Sequence, residues 1–247
     1  MTGRLVALDM PGGPAFVEAL RRVWDAGDAA LPLDQRLPAA ARERVLTAMA
    51  AAAVLGVDGE EIARQGARPV EPGDALVVST SGTTGEPKGV VLTHEAVAAS
   101  ADASSRHLGV GPDDHWIACL PLNHVGGLSV ITRALHVGTG LSVLPGVDPA
   151  ELHRIADEIT SAGRRCFVSL VATTLTRVDA SRFATVLLGG SRPPADRPTN
   201  TVTTYGMTET GSGVVYDGFA LDGVDLRIVD GEVHVRGPML LRTYRDG

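Results

Sequence analysis

Lysine, aromatic residues and cysteine are scarce in this sequence, and each shortage limits what the chain can be. Lys88 is the sole lysine among 22 lysines and arginines, so no second lysine side chain is available for chemistry. Aromatic residues make up 4% of the chain, which favours a core of small and aliphatic side chains in an α/β fold over an aromatic-rich sandwich. The two cysteines, Cys119 and Cys166, lie in apolar segments typical of buried thiols, and their spacing matches no metal site.

Positive charge and long hydrophobic runs are lacking as well. The formal net charge of −7 argues against non-specific binding to nucleic acid or to an anionic membrane. The longest apolar run, residues 48–56, is far shorter than the ~20 residues that cross a bilayer. Asp9 and Pro11 interrupt the amino-terminal segment, so it has no signal-peptide pattern. We expect a globular, cytoplasmic protein with no membrane or nucleic-acid partner.

The first part of the chain predicts two helices. Apolar residues recur at helical spacing over residues 14–26, and Gly27 ends that helix. After a loop over residues 31–34, a second helix is predicted over residues 39–55. Residues 58–74 are polar and rich in turn-forming residues.

From residue 75 onward, short apolar strands alternate with helices. The strands are predicted over residues 75–79, 90–92, 116–120, 141–144, 166–171 and 185–188. The helices are predicted from a cap at Thr93 to about residue 107, over residues 127–137, and from a cap at Asp148 to Gly163. Continuously apolar strands that alternate with helices predict a parallel sheet covered on both faces.

Past residue 205, alternating apolar and polar residues predict a β-hairpin. Its strands are predicted over residues 224–229 and 232–236, joined by Asp230 and Gly231. The fold class is therefore α/β with a small antiparallel part at the end. The predicted divisions are a short amino-terminal part, a ligand-binding α/β part and a β subdomain, at residues 1–74, 75–216 and 217–247.

A loop suited to phosphate follows the strand at residues 75–79. Its glycines let main-chain amides approach an anion, its hydroxyls add donors, and Lys88 adds a compact full charge. A simple turn between strands is the alternative, but folding alone does not require four hydroxyls and the sole lysine so close together. The loop differs from that of nucleotide triphosphatases, because Pro87 and Gly89 flank the lysine. The candidate phosphate ligands are Thr80, Ser81, Gly82, Thr83, Thr84, Gly85 and Lys88.

Residues 79–94, STSGTTGEPKGVVLTH, resemble the signature loop of the adenylate-forming superfamily. This superfamily comprises acyl-CoA synthetases, peptide-synthetase adenylation domains and luciferases. Further blocks follow in family order at residues 120–124, 187–191, 204–210 and 231–237. The resemblance covers residues 75–247 and implies the large amino-terminal domain of the family, layered αβαβα with mainly parallel sheets and a small antiparallel β subdomain.

The resemblance implies roles for the residues of a nucleotide site. The loop through Lys88 would wrap the β- and γ-phosphates of ATP, and Glu209 would hold Mg²⁺. Thr208 would hydrogen-bond the α-phosphate or the reacting carboxylate, and Tyr205 would stack on adenine. A helix cap at residues 208–209 and a tight turn at the double glycine are the structural alternatives. The other residues implied on the nucleotide side are Gly189, Gly190, Ser191, Gly206 and Met207.

A second set of residues is implied on the acyl side. His124 would lie at the boundary between the acyl pocket and ATP, and Val125, Gly126 and Gly127 follow it. A lone histidine is more often a structural residue, but its place after a strand and before a glycine pair favours function.

Residues 120–129 and 169–175 are most similar to the o-succinylbenzoate–CoA ligase branch of this family. Asn123 departs from the aromatic residue common at its position. Such a substrate has a second carboxylate, which needs a cation. Arg133 and Arg177 are the candidates, and each could equally be a solvated residue on a helix face.

The implied function is that of an ATP-dependent acid–thiol ligase. A carboxylic acid and ATP would give an acyl-adenylate, from which coenzyme A would take the acyl group, in menaquinone biosynthesis if the acid is o-succinylbenzoate. Lys88, His124, Thr208 and Glu209 would carry the catalysis, with ATP, Mg²⁺ and coenzyme A bound and a homo-oligomer as one form of assembly. The alternatives are another acyl-CoA ligase, a carrier-protein adenylation module and a non-catalytic nucleotide-binding relic. A relic need not keep the metal ligand, so the intact Glu209 favours an enzyme.

Members of the family also carry a mobile carboxyl-terminal domain with a lysine that contacts the acyl-adenylate. Because Lys88 is the sole lysine here, we expect this chain to be the amino-terminal domain of a longer enzyme and to adenylate poorly by itself.

Overall fold

The computed structural model describes residues 2–81 and 87–245, with Ser81 described in its main chain alone. The helices of this part are α1 (Pro14–Asp25), α2 (Ala39–Ala48), α3 (His94–Leu108), α4 (Val125–Val137), α5 (Pro149–Ser161) and α6 (Ala172–Leu175). Short 3₁₀ turns lie at Ala180–Arg182 and Thr208–Thr210. The strands are β1 (Leu5–Asp9), β2 (Ala29–Pro32), β3 (Ala53–Gly56), β4 (Glu61–Ala63), β5 (Asp74–Ser81), β6 (Pro87–Thr93), β7 (His115–Ala118), β8 (Gly140–Val143), β9 (Cys166–Val171), β10 (Thr185–Gly189), β11 (Thr201–Gly206), β12 (Gly213–Tyr216), β13 (Phe219–Ala220), β14 (Asp225–Val229), β15 (Glu232–Arg236) and β16 (Thr243–Arg245).

Two seven-stranded sheets organise these elements. The first has the order β16-β6-β5-β2-β1-β3-β4, and its central strands β5, β2, β1 and β3 run parallel. The second has the order β13-β12-β11-β10-β9-β7-β8, and its strands from β11 to β8 run parallel. Strands β14 and β15 pair with each other as a separate antiparallel hairpin. The α/β class and the small antiparallel part are therefore confirmed.

The apolar core is divided into three clusters by the two sheets. The middle cluster contains residues of both sheets together with residues of α1, α3 and α4. A second cluster joins the outer face of the second sheet to α5, and a third joins the outer face of the first sheet to α2. The layers therefore follow the expected αβαβα order. The middle layer contains buried Trp116 and Phe167, whose rings lie 5.2 Å apart.

Two predicted helix caps and one predicted hairpin turn are confirmed. The hydroxyl of Thr93 accepts a hydrogen bond from the Ala96 amide at the start of α3, and Asp148 caps α5 in the same way. In the β14–β15 hairpin, Asp230 and Gly231 have φ of 50° and 83°. Positive φ at both central residues is what a two-residue hairpin turn requires.

The second predicted helix is wrong at its carboxyl end. The helix stops at Ala48, and Ala53–Gly56 instead forms strand β3, parallel to β1. Alanine favours helices, but the chain leaves the helix at Ala50, whose φ is 46°. Pairing with the buried strand β1 then outweighs local propensity. The loop expected at residues 31–34 likewise begins inside β2.

The carboxyl-terminal strand β16 lies in the first sheet, antiparallel to β6. The predicted divisions at residues 74 and 216 stay a prediction, but this pairing ties the last described residues to strands of the ligand-binding part. Among the described helices, none is long and apolar enough to cross a membrane.

Candidate functional site

A cleft with a volume of about 680 Å³ opens at the carboxyl ends of the parallel strands in the second sheet. Its wall is built from the segments that follow β7, β8, β9, β10 and β11, together with the start of α4. Ligands of open α/β sheets bind at this edge, because the strand ends and helix starts converge there. The lining residues at these strand ends include Cys119, Leu120, Pro121, Pro145, Gly146, Val147, Val171, Thr174, Gly189, Gly190, Gly206, Met207 and Thr208.

The predicted acyl residues lie together on one wall of the cleft. His124 precedes α4 as its cap residue, and Val125, Gly126 and Gly127 form the first turn. A Cβ on Gly127 would lie 2.4 Å from the carbonyl oxygen of Leu120. Glycine is therefore required for α4 to begin against the end of β7. His124 is exposed, and its ring lies 3.3 Å from the Asn123 amide nitrogen.

Arg133 lies two turns further along α4, is 2% exposed and lines the cleft. Its Nε donates to the hydroxyl of Ser104 at 2.8 Å, and its guanidinium lies 4.7 Å from the ring centroid of Trp116. Its Nη1 has no hydrogen-bond partner within the described ranges, nor does any carboxylate there pair with it. Burial lowers the pKa of Arg133, while Tyr216 acts in the opposite direction. A buried cation without an anion is unfavourable, so this end of the cleft is suited to an anionic group.

The other cationic candidate is placed elsewhere. Arg177 is exposed after α6 and does not line the cleft. Of the two arginines that the sequence could not separate, the structure brings only Arg133 to the cleft.

The glycine blocks form the opposite wall. A Cβ on Gly189 would lie 2.6 Å from the Thr204 hydroxyl, and Gly190 has φ of 79°. A Cβ on Gly206 would lie 2.2 Å from the carbonyl oxygen of Ser212. These approaches bring main chain to the cleft surface, where a flat ligand can lie against it.

Met207 and Thr208 line the cleft next to Gly206, at the start of a short 3₁₀ turn. The turn is held by Thr210, whose hydroxyl accepts from the Met207 amide at 3.0 Å and donates to the Ser212 carbonyl at 2.7 Å. Tyr205 and Ser191 are exposed and do not line the cleft. Tyr205 precedes an irregularity in the pairing of β11 with β12, which reorients the chain at Gly206.

The predicted phosphate and metal residues meet at the edge of the first sheet. Thr80 and Lys88 are paired across β5 and β6, and the Thr80 hydroxyl donates to the Lys88 carbonyl at 3.2 Å. The Lys88 ammonium lies 3.2 Å from the ring centroid of Tyr244, whose hydroxyl donates to Glu209 Oε1 at 3.1 Å. Other predicted ligands lie outside the described residues: Gly82, Thr83, Thr84, Gly85 and the side chain of Ser81.

Metal binding by protein groups alone has no support in the described part of the chain, where no three His, Cys, Asp or Glu side chains converge. In the part of the chain that the structure describes, Glu209 therefore offers its carboxylate without a cluster of further protein ligands around it. That donor set fits Mg²⁺, which is commonly bound by one or two carboxylates together with substrate phosphates and water.

Arg36 and Tyr216 are among the lining residues that the sequence analysis did not single out. Arg36 reaches the cleft from the loop after β2 and forms a two-point ion pair with Asp34, at 2.8 Å for each bond. Arg36 lowers the pKa of Asp34, and His124 adds a smaller contribution. Tyr216 lines the cleft from β12 and is 1% exposed. No local pattern marks either residue, because only the sheet topology brings them to the cleft.

Both cysteines are buried and free. Burial raises the pKa of Cys119 and of Cys166 to about 12 each. Cys119 lines the cleft, but a thiol with so high a pKa is not a nucleophile near neutral pH.

Comparison with known proteins gives consistent matches. The model of the family described as AMP-binding enzyme matches residues 57–245. A probable 2-succinylbenzoate–CoA ligase of Mycobacterium tuberculosis is 42% identical over 193 residues, which are 70% of this chain and 49% of that protein. This chain spans about half the length of the curated relatives it matches.

Solved structures show the same fold. Wild-type MenE of E. coli, bound to an analogue of OSB-AMS, superposes with a TM-score of 0.80 at 26% identity, covering 100% of this chain and 60% of that one. The o-succinylbenzoate coenzyme A synthetase of Bacillus subtilis, in complex with ATP and a magnesium ion, gives a TM-score of 0.81 at 23% identity, covering 98% and 62%.

Proposed function

The chain belongs to the AMP-binding enzyme family, and we propose that its cleft activates a carboxylic acid for transfer to coenzyme A. An oxygen of the substrate carboxylate attacks the α-phosphorus of ATP. The bond between that phosphorus and the bridging oxygen breaks, and pyrophosphate leaves while the acyl-adenylate stays bound. The sulfur of coenzyme A then attacks the acyl carbon, its proton passes to solvent, and AMP leaves.

The acid that we propose is o-succinylbenzoate, and the observation that carries this choice is the buried Arg133. This acid has two carboxylates, of which one reacts and one remains charged. The guanidinium of Arg133 faces the cleft with an unsatisfied Nη1, and a charge-assisted bond to the remaining carboxylate would satisfy it. The similarity to the M. tuberculosis relative supports the same acid.

The nucleotide is assigned to the opposite wall. Adenine would lie along Gly189 and Gly190, and Thr208 would hydrogen-bond the α-phosphate or the reacting carboxylate. Stacking of Tyr205 on adenine stays a prediction, because Tyr205 is exposed outside the cleft lining. The ammonium of Lys88 would balance charge on the β- and γ-phosphates. Bound Mg²⁺, held by Glu209, would supply further charge neutralisation on the phosphates.

The acyl acceptor is an external thiol rather than a cysteine of this chain, and we propose coenzyme A for that role. Cys119 is the cysteine that lines the cleft, and its pKa of about 12 keeps it protonated. An external thiol is therefore needed for the second step. A cytoplasmic location fits two free, buried cysteines, and a homo-oligomer stays a prediction.

The proposal is tested by binding measurements on the chain with Arg133→Met. Methionine fills much of the volume of arginine without charge or donors. Wild-type protein is expected to bind o-succinylbenzoate with AMP present at least about tenfold more tightly than a monocarboxylate analogue, as measured by calorimetry. The variant is expected to lose this preference and to keep its affinity for AMP.

Arg177→Met is the matched control, since Arg177 is exposed outside the cleft. It should leave the preference for the dicarboxylate intact. If wild-type protein shows no preference, or if Arg177→Met rather than Arg133→Met removes it, the assignment of the substrate is wrong. Absence of AMP binding by the wild-type chain would contradict the proposed function as a whole.

A further inference from the structure

Tyr244 contacts both charged side chains that the proposed nucleotide site uses at the edge of the first sheet. The Lys88 ammonium lies over its ring, 3.2 Å from the centroid. Its hydroxyl donates to Glu209 Oε1 at 3.1 Å, across a separation of 35 residues in sequence. Neither the phosphate loop nor the block around Glu209 includes this tyrosine.

The sheet register places Tyr244 for both contacts. β16 pairs with β6 so that Tyr244 stands opposite Val90, two residues from Lys88. Side chains two apart on a strand, and side chains directly opposite each other, share one face of a sheet. Lys88 and Tyr244 are therefore diagonal neighbours, which are within reach for a long and an aromatic side chain.

The same segment holds the main chain of Glu209. The amide of Leu241 donates to the Glu209 carbonyl at 2.7 Å, and the amide of Arg242 donates to the Val91 carbonyl at 2.9 Å. Glu209 is thus fixed relative to β6 through its backbone and through its carboxylate. The geometry is that of a built connection between β6 and the 3₁₀ turn, not of a chance surface contact.

The ring separates two opposite charges that would otherwise attract each other. Among the ion pairs of the described residues, none joins Lys88 to Glu209, and Tyr244 contacts both groups instead. A direct ion pair would neutralise both groups, and an incoming phosphate or metal ion would have to break it. The Tyr244 ring holds the Lys88 ammonium and the Tyr244 hydroxyl holds the Glu209 carboxylate, and both contacts are weaker than a direct ion pair. A phosphate group or a metal ion can therefore displace them.

We propose that Tyr244 is a positioning residue of the nucleotide site. It holds the ammonium of Lys88 and the carboxylate of Glu209 side by side without letting them pair with each other, so that both can receive a magnesium-bound triphosphate. This inference rests on the proposed function, because that function assigns Lys88 to the phosphates and Glu209 to the metal ion.

The sole lysine allows a direct test of position. Reductive methylation with ¹³C-formaldehyde keeps the charge of lysine and gives one side-chain NMR signal, from Lys88, besides that of the amino terminus. In the wild type this signal is expected upfield, because its methyl groups lie over the Tyr244 ring. Tyr244→Leu should return it to the position of a solvated lysine, as should addition of Mg²⁺ with the non-hydrolysable ATP analogue AMPPNP. Thr243→Val, on the same strand, should leave it unchanged.

Binding measurements test the consequence. Tyr244→Leu, which removes ring and hydroxyl, is expected to weaken binding of Mg²⁺·AMPPNP by about tenfold, and Tyr244→Phe, which keeps the ring, by about threefold. AMP lacks the β- and γ-phosphates, so its affinity should stay within about twofold in both variants. A purely structural tyrosine would weaken both ligands together, and thermal unfolding of each variant shows whether the fold is affected.

The outcomes separate this inference from the proposed function. If wild-type protein binds neither AMP nor Mg²⁺·AMPPNP, both are wrong. If it binds both ligands, but Tyr244→Leu weakens them equally or leaves the Lys88 signal unshifted, the inference about Tyr244 is wrong and the proposed function stands.

Discussion

The two ends of the second sheet treat charge in opposite ways. At the amino end, Asp114 is buried and accepts hydrogen bonds from Nε and Nη2 of Arg165 at 2.8 and 2.6 Å. At the carboxyl end, the buried Arg133 has no carboxylate partner in the described part of the chain. A paired buried charge is tolerated and fixes the fold, whereas an unpaired one destabilises it. An unpaired charge kept in a cleft therefore indicates a ligand, and a paired one indicates structure.

The two ends of the second sheet also differ in how their main chain is packed. At the carboxyl end, segments pack backbone to backbone at Gly127 and at Gly206, where no Cβ fits. At the amino end, side chains of arginine cap carbonyl groups, as Arg164 does for Asp113 and Asp114. The close approaches at the cleft end are thus to backbone atoms, which cannot move aside, whereas a Cβ on Gly140 at the amino end would meet the side chains of His115 and Arg164.

Gly127→Ala is expected to have the largest effect on this comparison. The added Cβ would lie 2.4 and 2.5 Å from the carbonyl oxygens of Leu120 and Pro121, and backbone atoms cannot move aside as a flexible side chain can. We expect the free energy of unfolding, measured with urea and circular dichroism, to fall by about 3 kcal/mol. The affinity for AMP and for the acid should fall as well, because α4 carries one wall of the cleft.

Gly126→Ala is the control for this change. A Cβ there would meet Leu120 Cδ1 at 3.7 Å, which is an ordinary contact. Alanine also favours a helix over glycine by up to ~1 kcal/mol, so stability should be equal or higher. Equal losses in the two alanine variants would show that the close approach is not the cause.

Asp114→Asn should have the next largest effect, at the opposite end of the sheet. It removes the charge that Arg165 pairs with and weakens the bond from the Gly111 amide, which is 2.8 Å long. We expect the free energy of unfolding to fall by about 2 kcal/mol, because the buried Asp114 loses charge-assisted hydrogen bonds, while the exposed Arg165 is left in water. AMP affinity of the folded protein should not change. Asp113→Asn, at an exposed neighbour, should change neither quantity, and a fall in AMP affinity for Asp114→Asn would break the division between the two ends.

Arg133→Met, in contrast to Asp114→Asn, should raise the free energy of unfolding. Its partner Ser104 keeps a hydrogen bond, since that hydroxyl also donates to the Ser100 carbonyl at 2.8 Å. Removing a buried charge without an anionic partner is therefore expected to raise the free energy of unfolding by about 1 kcal/mol in the absence of ligand. Urea unfolding of the unliganded protein checks this. A loss of stability comparable to that of Asp114→Asn would mean that Arg133 is a structural residue.

The sequence predicted best the features that short-range chemistry decides. The caps of α3 and α5 and the turn at Asp230 depend on side chains within three residues of one another, so the pattern and the outcome coincide. The cleft glycines and Thr208 were located by motif, whereas the phosphate loop stays a prediction, because residues 82–86 lie outside the described residues. Strand β3 was not predicted from the sequence, because its partner β1 lies far away in sequence. An alanine-rich segment gives no local signal of that pairing.

The sequence also could not predict which side chains become buried when the layers pack together. Arg133 and Arg177 could not be separated by sequence, since both follow helical patterns. Only the packing of α4 against α3 and β7 encloses Arg133, while Arg177 stays exposed. Tyr244 was missed for the same reason, because its contacts with Lys88 and Glu209 depend on the pairing of β16 with β6.

The smallest predicted effect concerns pH and lies at the amino end of the sheet. His115 is buried at the start of β7, with its Nε2 2.9 Å from the Ser142 hydroxyl and its Nδ1 without a partner within the described ranges. Burial lowers the pKa of His115 below its usual 6.5, and the charge of Arg164 lowers it further. Between the folded and unfolded pKa values the unfolded chain binds more protons, so this histidine makes stability rise with pH and destabilises the fold as pH falls below about 6.5.

His115→Gln keeps a polar group beside Ser142 but removes the titration. Between about pH 7.5 and about pH 5.5 the variant should therefore lose less unfolding free energy than the wild type. The expected difference between the two proteins is less than about 1 kcal/mol. His94→Gln provides a comparison, because burial also lowers the pKa of His94, at the start of α3. The expectation is wrong if the pH dependence of the unfolding free energy is unchanged in His115→Gln but reduced in His94→Gln. The acid sensitivity would then not lie at the amino end of the sheet, and only the paired arginines and carboxylates would distinguish that end from the cleft.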